Sequence, residues 1–462
     1  MDDSEKYFLT NFSPESLQDT FNNSIKNKAG KGIDGVGSVQ IEKDLALITP
    51  RISNKVLNSK YRFSPYLEIV KSKGRGKHPR IISKPTIRDK LTLSALKDAL
   101  HYQYEHCIQN QLPNTYIKEI KKLFNEHETE EIHYLKIDIK GFYDNLNHQI
   151  LLGECLSDIK NEHALTLIRR AIKNKTVPKN YKKENSLNYH NTVGVPQGLS
   201  ISNVLAGIYM KDFDIVYEFV GLKYLRYVDD ILIFAKQDEI EVIEKKVEES
   251  LNIIGLETND KTEKGVISKS FDYLGYRISS EKISVRESTV ERFINSIIAM
   301  FTDFKLNFNS RVANSKWFTA EYIKALFILN INEKITGAVT ETKRYGWIFY
   351  FIEITDIHLL HKLDSIIGKQ FFRLEMFDAT SPQKLKTMVK SYYSAKYSPF
   401  DGYIHNYNVY DTVINKIQFL LKLGYINEQD IINFTEVEME RKFETAKGKR
   451  LLKLEEDIDN IS

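Results

Sequence analysis

The strongest constraint in this chain is a pair of adjacent acids set between two apolar runs. Lys223–Val228 and Ile231–Ala235 are both β-prone, and only Asp229 and Asp230 separate them. Such a break between short apolar runs predicts a tight hairpin carrying both aspartates at its turn. A third run, Ile132–Ile139, reads as a strand with Asp138 near its end. The order strand, helices, hairpin, helix, strands follows α+β logic rather than alternating β-α-β. Asp138 and Asp229 then become neighbours if their strands share one antiparallel sheet.

Carboxylates brought together in a sheet repel one another, so one takes a proton or a cation sits between them. Mg²⁺ suits such a site, because it prefers oxygen ligands and keeps positions open for substrate phosphates. Two such ions about 4 Å apart activate an attacking hydroxyl and stabilise a leaving oxygen in phosphoryl transfer. Tyr227-Val228-Asp229-Asp230 is weak on its own, since a tetrapeptide of this kind arises by chance, and taken alone it reads as a solvated turn. Its weight comes from the motifs around it.

Residues 13–27 read as a helix capped by Ser13, with Pro14 in its first turn and Leu17, Phe21 and Ile25 on one face. Gly30, Gly32, Gly35 and Gly37 then impose a loop. Residues 91–108 and 202–217 look helical. Residues 239–254 form an amphipathic helix stopped by Gly255. Short strands are expected over 263–285, and mostly helix beyond. Ser288-Thr289-Val290-Glu291 has the capping-box pattern. The acidic tail Glu455–Asp459 reads as frayed.

Net charge is only +4, yet the cations are clustered. Residues 51–97 hold thirteen Lys and Arg against Glu68 and Asp89, and residues 168–183 hold seven and no acid. Charge runs are usually solvated faces, but two of them in a nearly neutral chain point to a polyanion. With only Cys107 and Cys155, a disulfide framework and a Cys₄ zinc site are excluded. No stretch has the roughly 18 apolar residues of a membrane span, and the N-terminus lacks a signal-peptide core. The chain reads as soluble, intracellular and cytoplasmic.

The motifs together resemble a reverse transcriptase, over residues 24 to about 280. Lys136–Asn145 resembles motif A of group II intron and retron enzymes. Gly194–Asn203 resembles motif B, Tyr227–Asp230 motif C, Gly255–Thr262 motif D and Phe271–Tyr276 motif E. Upstream, Gly32–Val36 and Arg80–Asp89 resemble the fingers blocks. The resemblance implies a right-hand polymerase fold: fingers and palm with an antiparallel palm sheet, then a helical thumb and a helical C-terminal region. The expected divisions are an N-terminal extension over 1–60, fingers and palm over 61–283, thumb over 284–375 and C-terminal extension over 376–462.

The resemblance also implies roles. Asp138, Asp229 and Asp230 would be catalytic and would hold two Mg²⁺ ions, with Mn²⁺ as a substitute, assisted by the Ile139 carbonyl. Tyr143, with Phe142 beside it, would contact the incoming nucleotide and act as a steric gate against a 2′-hydroxyl; an ordinary core tyrosine is the alternative. Gln197 would help place the templating base and nucleotide. Lys73 and Arg80 would grip the triphosphate, although Arg75 or Lys77 could take the place of Lys73. Lys261 would protonate pyrophosphate as general acid, or be a plain surface lysine.

The implied activity is RNA-directed DNA synthesis from a 3′-hydroxyl, with RNA template, DNA product and deoxynucleoside triphosphates as partners and no membrane. Two departures from mobile-intron proteins matter. Motif B has Ser202-Asn203 where many relatives have Ser-Pro, and no Cys-rich endonuclease follows. These, with Lys334–Gly337 and Arg344–Trp347, resemble the antiphage, abortive-infection and unknown-group reverse transcriptases, which implies a non-coding RNA partner. A template-independent or protein-primed terminal transferase, and a non-catalytic RNA-binding assembly protein, stay open as alternatives, as does a homo-oligomer.

Overall fold

The computed structural model describes residues 3–26, 30–72, 79–108, 111–127, 131–182, 191–260, 262–314, 318–378 and 380–458. The architecture is α+β, in two compact units. The first comprises residues 1–111 and 131–266, the second 112–130 and 267–462.

The first unit is organised by two sheets. Strands β1 (Tyr66–Lys71), β2 (Arg80–Lys84) and β4 (Thr176–Val177) form one, in the order β2-β1-β4. Strands β3 (Ile132–Asp138), β5 (Lys223–Tyr227), β6 (Asp230–Lys236) and β7 (Glu263–Val266) form the other. Its order is β5-β6-β3-β7, antiparallel throughout. Ile231–Ala235 in β6 are all buried, as expected for a central strand with both faces covered. The helix Gln237–Ile253 packs its apolar stripe of Ile240, Ile243, Val247 and Leu251 beside β3 and β6. Gly255, at φ 73°, follows its end.

The expected helix over 13–27 is an α-helix, Pro14–Thr20, running into a π-turn at Phe21–Ile25, with Ser13 accepting from the Ser16 amide. Leu17, Phe21 and Ile25 are buried as the pattern requires. Cys107 and Cys155 are buried free thiols, and burial pushes Cys155 up to about 11.

Among the described residues, the second unit holds two small sheets. One contains β8 (Phe271–Tyr273), β9 (Tyr276–Ile278) and β10 (Ile283–Val285). The other contains β11 (Ala338–Val339), β12 (Arg344–Tyr345) and β13 (His405–Asn406). The helix Glu436–Glu455 packs on the helix Val413–Lys422, and long helices at Glu287–Asn314, Ala320–Thr336 and Ile357–Gln370 enclose an aromatic core. There Phe304 stacks on Phe327 at 4.0 Å and Phe301 meets Phe371 edge-on at 4.8 Å. No helix among the described residues is long and apolar enough to cross a membrane.

Two local features depart from what the sequence pattern predicts. The helix Glu287–Asn314 starts before Ser288, so the Ser288–Glu291 pattern lies inside its first turn rather than capping it. The acidic tail is docked through Ile458. Asp457 is 5% exposed and pairs with Lys334, its carboxylate accepts from Ser296 Oγ at 3.1 Å, and its carbonyl accepts from Arg292. A run of acids repels itself in isolation, but one buried lysine and two further donors are enough to hold it.

Candidate active site

Strand register brings the sequence-distant acids together. Asp138 stands directly opposite Asp230 across the β3–β6 pair. Side chains directly opposite share one face, with Cβ atoms roughly 5 Å apart. The Ile139 amide donates to the Asp229 carbonyl at 3.2 Å, so Asp229 is tied to the same corner.

The hairpin differs from expectation by one residue. Tyr227 pairs with Asp230, so the two-residue loop is Val228-Asp229, and Asp230 is the first residue of β6. Val228 has φ 58°, a conformation that β-branched residues rarely adopt. The cause is a brace beneath it. Arg226 is 3% exposed and its Nη1 donates to the Val228 carbonyl at 2.8 Å. The same guanidinium forms a two-pronged pair with Asp214, through Nε at 2.7 Å and through Nη2. Tyr224 Oη donates to Asp214 at 2.6 Å. Hydrogen bonding and the charge of Asp214 outweigh burial and push the Arg226 guanidinium above its usual value.

The segment after Gly255 closes the other side. The Asn259 amide donates to the Asp138 carbonyl, and Asn259 Nδ2 donates to Asp138 Oδ2, both at 2.8 Å. Lys140 N donates to the Glu257 carbonyl at 2.9 Å. Neither Asn259 nor the Arg226–Asp214 brace stands out in the sequence. The only signal is the position of Asn259 within the motif D stretch.

Gly141, at φ 55°, turns the chain out of β3 into the short helix Phe142–Asn145. Tyr143 is half-buried, and its hydroxyl donates to Asn203 Oδ1 at 2.7 Å. Burial, then the Asp229 charge, pushes its phenol well above the usual value; Arg80 acts in the opposite sense. Tyr143 therefore lies within electrostatic reach of both. Phe142 differs from expectation. It is 2% exposed and belongs to the core, its ring 5.5 Å from that of Tyr143, so it supports its neighbour from beneath rather than facing a nucleotide.

Gln197 bridges two elements. Its carbonyl accepts from the Ser83 amide of β2 at 2.7 Å, and its Nε2 donates to Asp144 at 3.2 Å. Gly194, at φ 82°, must be glycine, because a Cβ there would come within 2.6 Å of the Asp144 carbonyl. Arg80 opens β2, and its Nε is buried without a hydrogen-bond partner among the described residues. An orphaned guanidinium nitrogen is costly unless an acceptor arrives. Lys73 and Lys261 lie outside the described residues.

The donor set suits a hard divalent cation. It consists of two facing carboxylates and a third on the adjoining loop, all oxygen. As the side chains stand, no three such groups among the described residues close around one point. Asp138 and Asp230 stand opposite one another in the strand register, so a cation held between them calls for no change of register.

Residues 70–278 match the family model described as reverse transcriptase (RNA-dependent DNA polymerase). Similar proteins include the putative COX1/OXI3 intron 1 protein of Saccharomyces cerevisiae, 22% identical over 326 residues, covering 56% of this chain and 37% of that one. The group II intron-encoded protein LtrA of Lactococcus lactis subsp. cremoris is 27% identical over 217 residues, covering 44% and 33%. Protein YkfC of Escherichia coli (strain K12) is 24% identical over 212 residues, covering 44% and 54%. The chain thus spans about a third to a half of the length of these relatives. Among solved structures, the telomerase of Candida albicans in complex with a fragment of telomeric RNA aligns at a TM-score of 0.44 and 14% identity, covering 74% of this chain and 67% of that one. Over residues 70–278, then, the chain is similar to the reverse-transcriptase family and to a group II intron-encoded protein.

Proposed function

We propose that the chain is an RNA-directed DNA polymerase that adds deoxynucleotides to a 3′-hydroxyl. The observation that carries this reading is the Asp138–Asp230 register, with Asp229 on the loop beside it. Asp138, Asp229 and Asp230 would hold two divalent ions, Mg²⁺ by the hardness of the donors, with the Ile139 carbonyl assisting. Bound there, the ions supply charge for activating the hydroxyl and for the leaving pyrophosphate. The chain's own residues would do the positioning. Arg80 offers its unpartnered nitrogen to the triphosphate, with Lys73 or a neighbouring cation of its loop. Tyr143 would bar a 2′-hydroxyl, Gln197 would set the nucleotide against the template, and Lys261 is a candidate proton donor.

Residues 61–283 would serve as fingers and palm, 284–375 as thumb and 376–462 as a C-terminal extension. A cytoplasmic role in antiphage defence with a non-coding RNA is the setting that the Ser202-Asn203 variant of motif B suggests.

Templated synthesis is tested with an RNA template, a DNA primer and four deoxynucleotides, omitting one at a time. Products that stop at the template position of the omitted base support the reading. Extension indifferent to template composition replaces it with terminal transfer. No extension on any template or primer leaves the non-catalytic alternative.

A further inference from the structure

The two basic stretches of the sequence deliver cations to one cleft of the first unit. Arg62 and Phe63 reach it from the segment ahead of β1. Arg169, Arg170 and Lys173 reach it from the last turn and end of the helix Glu162–Ile172. The cleft encloses about 530 Å³, and no acidic side chain among the described residues lines it.

Its geometry is fixed by bonds that leave most of the charge uncommitted. Arg170 Nη1 donates to the carbonyls of Ser59 at 2.6 Å and Tyr61 at 2.9 Å. Asn174 Nδ2 donates to the Ser64 carbonyl at 2.7 Å. These clamps hold the Arg62 segment against the helix end. The side chains of Arg62, Arg169 and Lys173 form no ion pair or hydrogen bond among the described residues.

Basic residues in a helix's last turn complement its dipole, which accounts for Arg169 and Arg170. It does not account for Arg62, which comes from a separate segment and adds like charge. Burial, and then the Arg62 charge, push the Arg170 guanidinium below its usual value. Four cations around a preformed concavity repel one another until an anion enters. Phe63 adds an apolar wall of the kind on which a base or sugar rests.

The cleft is separate from the nucleotide end of the same sheet. Strand β1 begins three residues after Phe63 and ends at Lys71, which pairs with Arg80. Six strand residues set that end on the order of 20 Å further on.

We propose that Arg62, Arg169, Arg170 and Lys173 form a site for the phosphodiester backbone of an RNA strand, remote from the catalytic carboxylates. That the strand is RNA rests on the polymerase reading; the phosphate site itself does not.

The test compares the full-length protein with the variant R62A/R169A/K173A, keeping Arg170 for its backbone clamps. Binding of a labelled single-stranded RNA is followed across a salt titration. Three lost contacts should flatten the slope of log K against log salt by about 2 and weaken binding roughly 10- to 100-fold at low salt. Melting temperature should hold or rise as repulsion is relieved. A single-stranded DNA of the same sequence should lose affinity in parallel, because the contacts are to phosphate. An unchanged slope with RNA, or a loss confined to DNA, overturns the proposal. If no protein extends a primer yet the slope still flattens, the polymerase reading fails and the cleft stands. If the protein extends primers and the slope is unchanged, the polymerase reading stands and the cleft is not a phosphate site.

Discussion

The hydroxyl of Tyr143 donates to Oδ1 of Asn203 at 2.7 Å. This links the first turn after β3 to the start of the helix Ser202–Tyr209. Asn203 occupies the position where the resemblance leads one to expect proline, which has no side-chain acceptor. If Tyr143 is the gate against ribonucleotides, Asn203 sets its orientation. Tyr143→Ala should admit ribonucleotides outright. Asn203→Ala should leave the ring but loosen it, reducing discrimination about 3- to 10-fold, the range of one hydrogen bond of roughly 0.5–1.5 kcal/mol. Paired kcat/KM values for a deoxynucleotide and its ribonucleotide measure this. Discrimination unchanged in both variants removes Tyr143 from that role.

The brace under the hairpin should be a stability element. Asp214→Ala leaves the buried Arg226 guanidinium without its carboxylate, at a cost of about 3 kcal/mol. Arg226→Lys should not restore the wild-type value, because an ammonium cannot serve both oxygens and the Val228 carbonyl in one plane. Urea unfolding gives the comparison. A loss under about 0.5 kcal/mol would mean that the pair is solvated and the hairpin holds Val228 unaided.

The docked tail makes a parallel case in the second unit. Lys334 and Asp457 are a buried pair, with side chains 9% and 6% exposed. Asp457→Ala should cost about 3 kcal/mol by stranding the lysine. Replacing both, as Lys334→Met with Asp457→Leu, should recover most of that loss. A double variant as unstable as the single one would show that Ser296 and Arg292, rather than the ion pair, hold the tail.

His405 gives the second unit a pH dependence. Its Nε2 is buried without a hydrogen-bond partner among the described residues, and burial lowers its pKa from 6.5. Glu333 acts to raise it, and Arg450, Lys386 and Lys422 to lower it. The unfolded chain therefore takes up this proton first as pH falls. The stability contributed by neutral His405 is complete above about pH 6.5 and is lost as pH falls toward the folded pKa, with a slope of at most about 1.4 kcal/mol per pH unit. His405→Gln should remove that slope below about pH 6.5. Identical profiles for variant and wild type would assign the acid sensitivity elsewhere.

What is legible in the sequence follows from how local each signal is. Strands β3, β5 and β6 and the helix after them show in their apolar periodicity, which the neighbouring residues carry. The one-residue displacement of the hairpin loop does not show. Valine has no preference for positive φ, and the residue that holds it there, Arg226, depends on an aspartate twelve positions earlier. Asn259 is equally hidden, since its partner Asp138 lies more than a hundred residues upstream. Phe142 takes its expected role from its neighbour Tyr143, but successive residues of a helix point in different directions, and this one turns into the core. The tail reads as frayed when its acids are weighed against one another rather than against Lys334.

The central claim is that Asp138, Asp229 and Asp230 jointly hold the metal that drives nucleotide addition. Its most direct test is primer extension by wild type, Asp138→Asn and Asp229→Asn, each with Mg²⁺ and after chelation. Each change removes one ligand charge with little change in shape. The expected result is a fall of about a thousandfold for either variant, near ~4 kcal/mol, and none of that loss recovered by Asn at the other position. Wild-type extension should stop on chelation and resume with Mg²⁺ or Mn²⁺. Variants that extend as fast as wild type, or extension that survives chelation, would contradict the account.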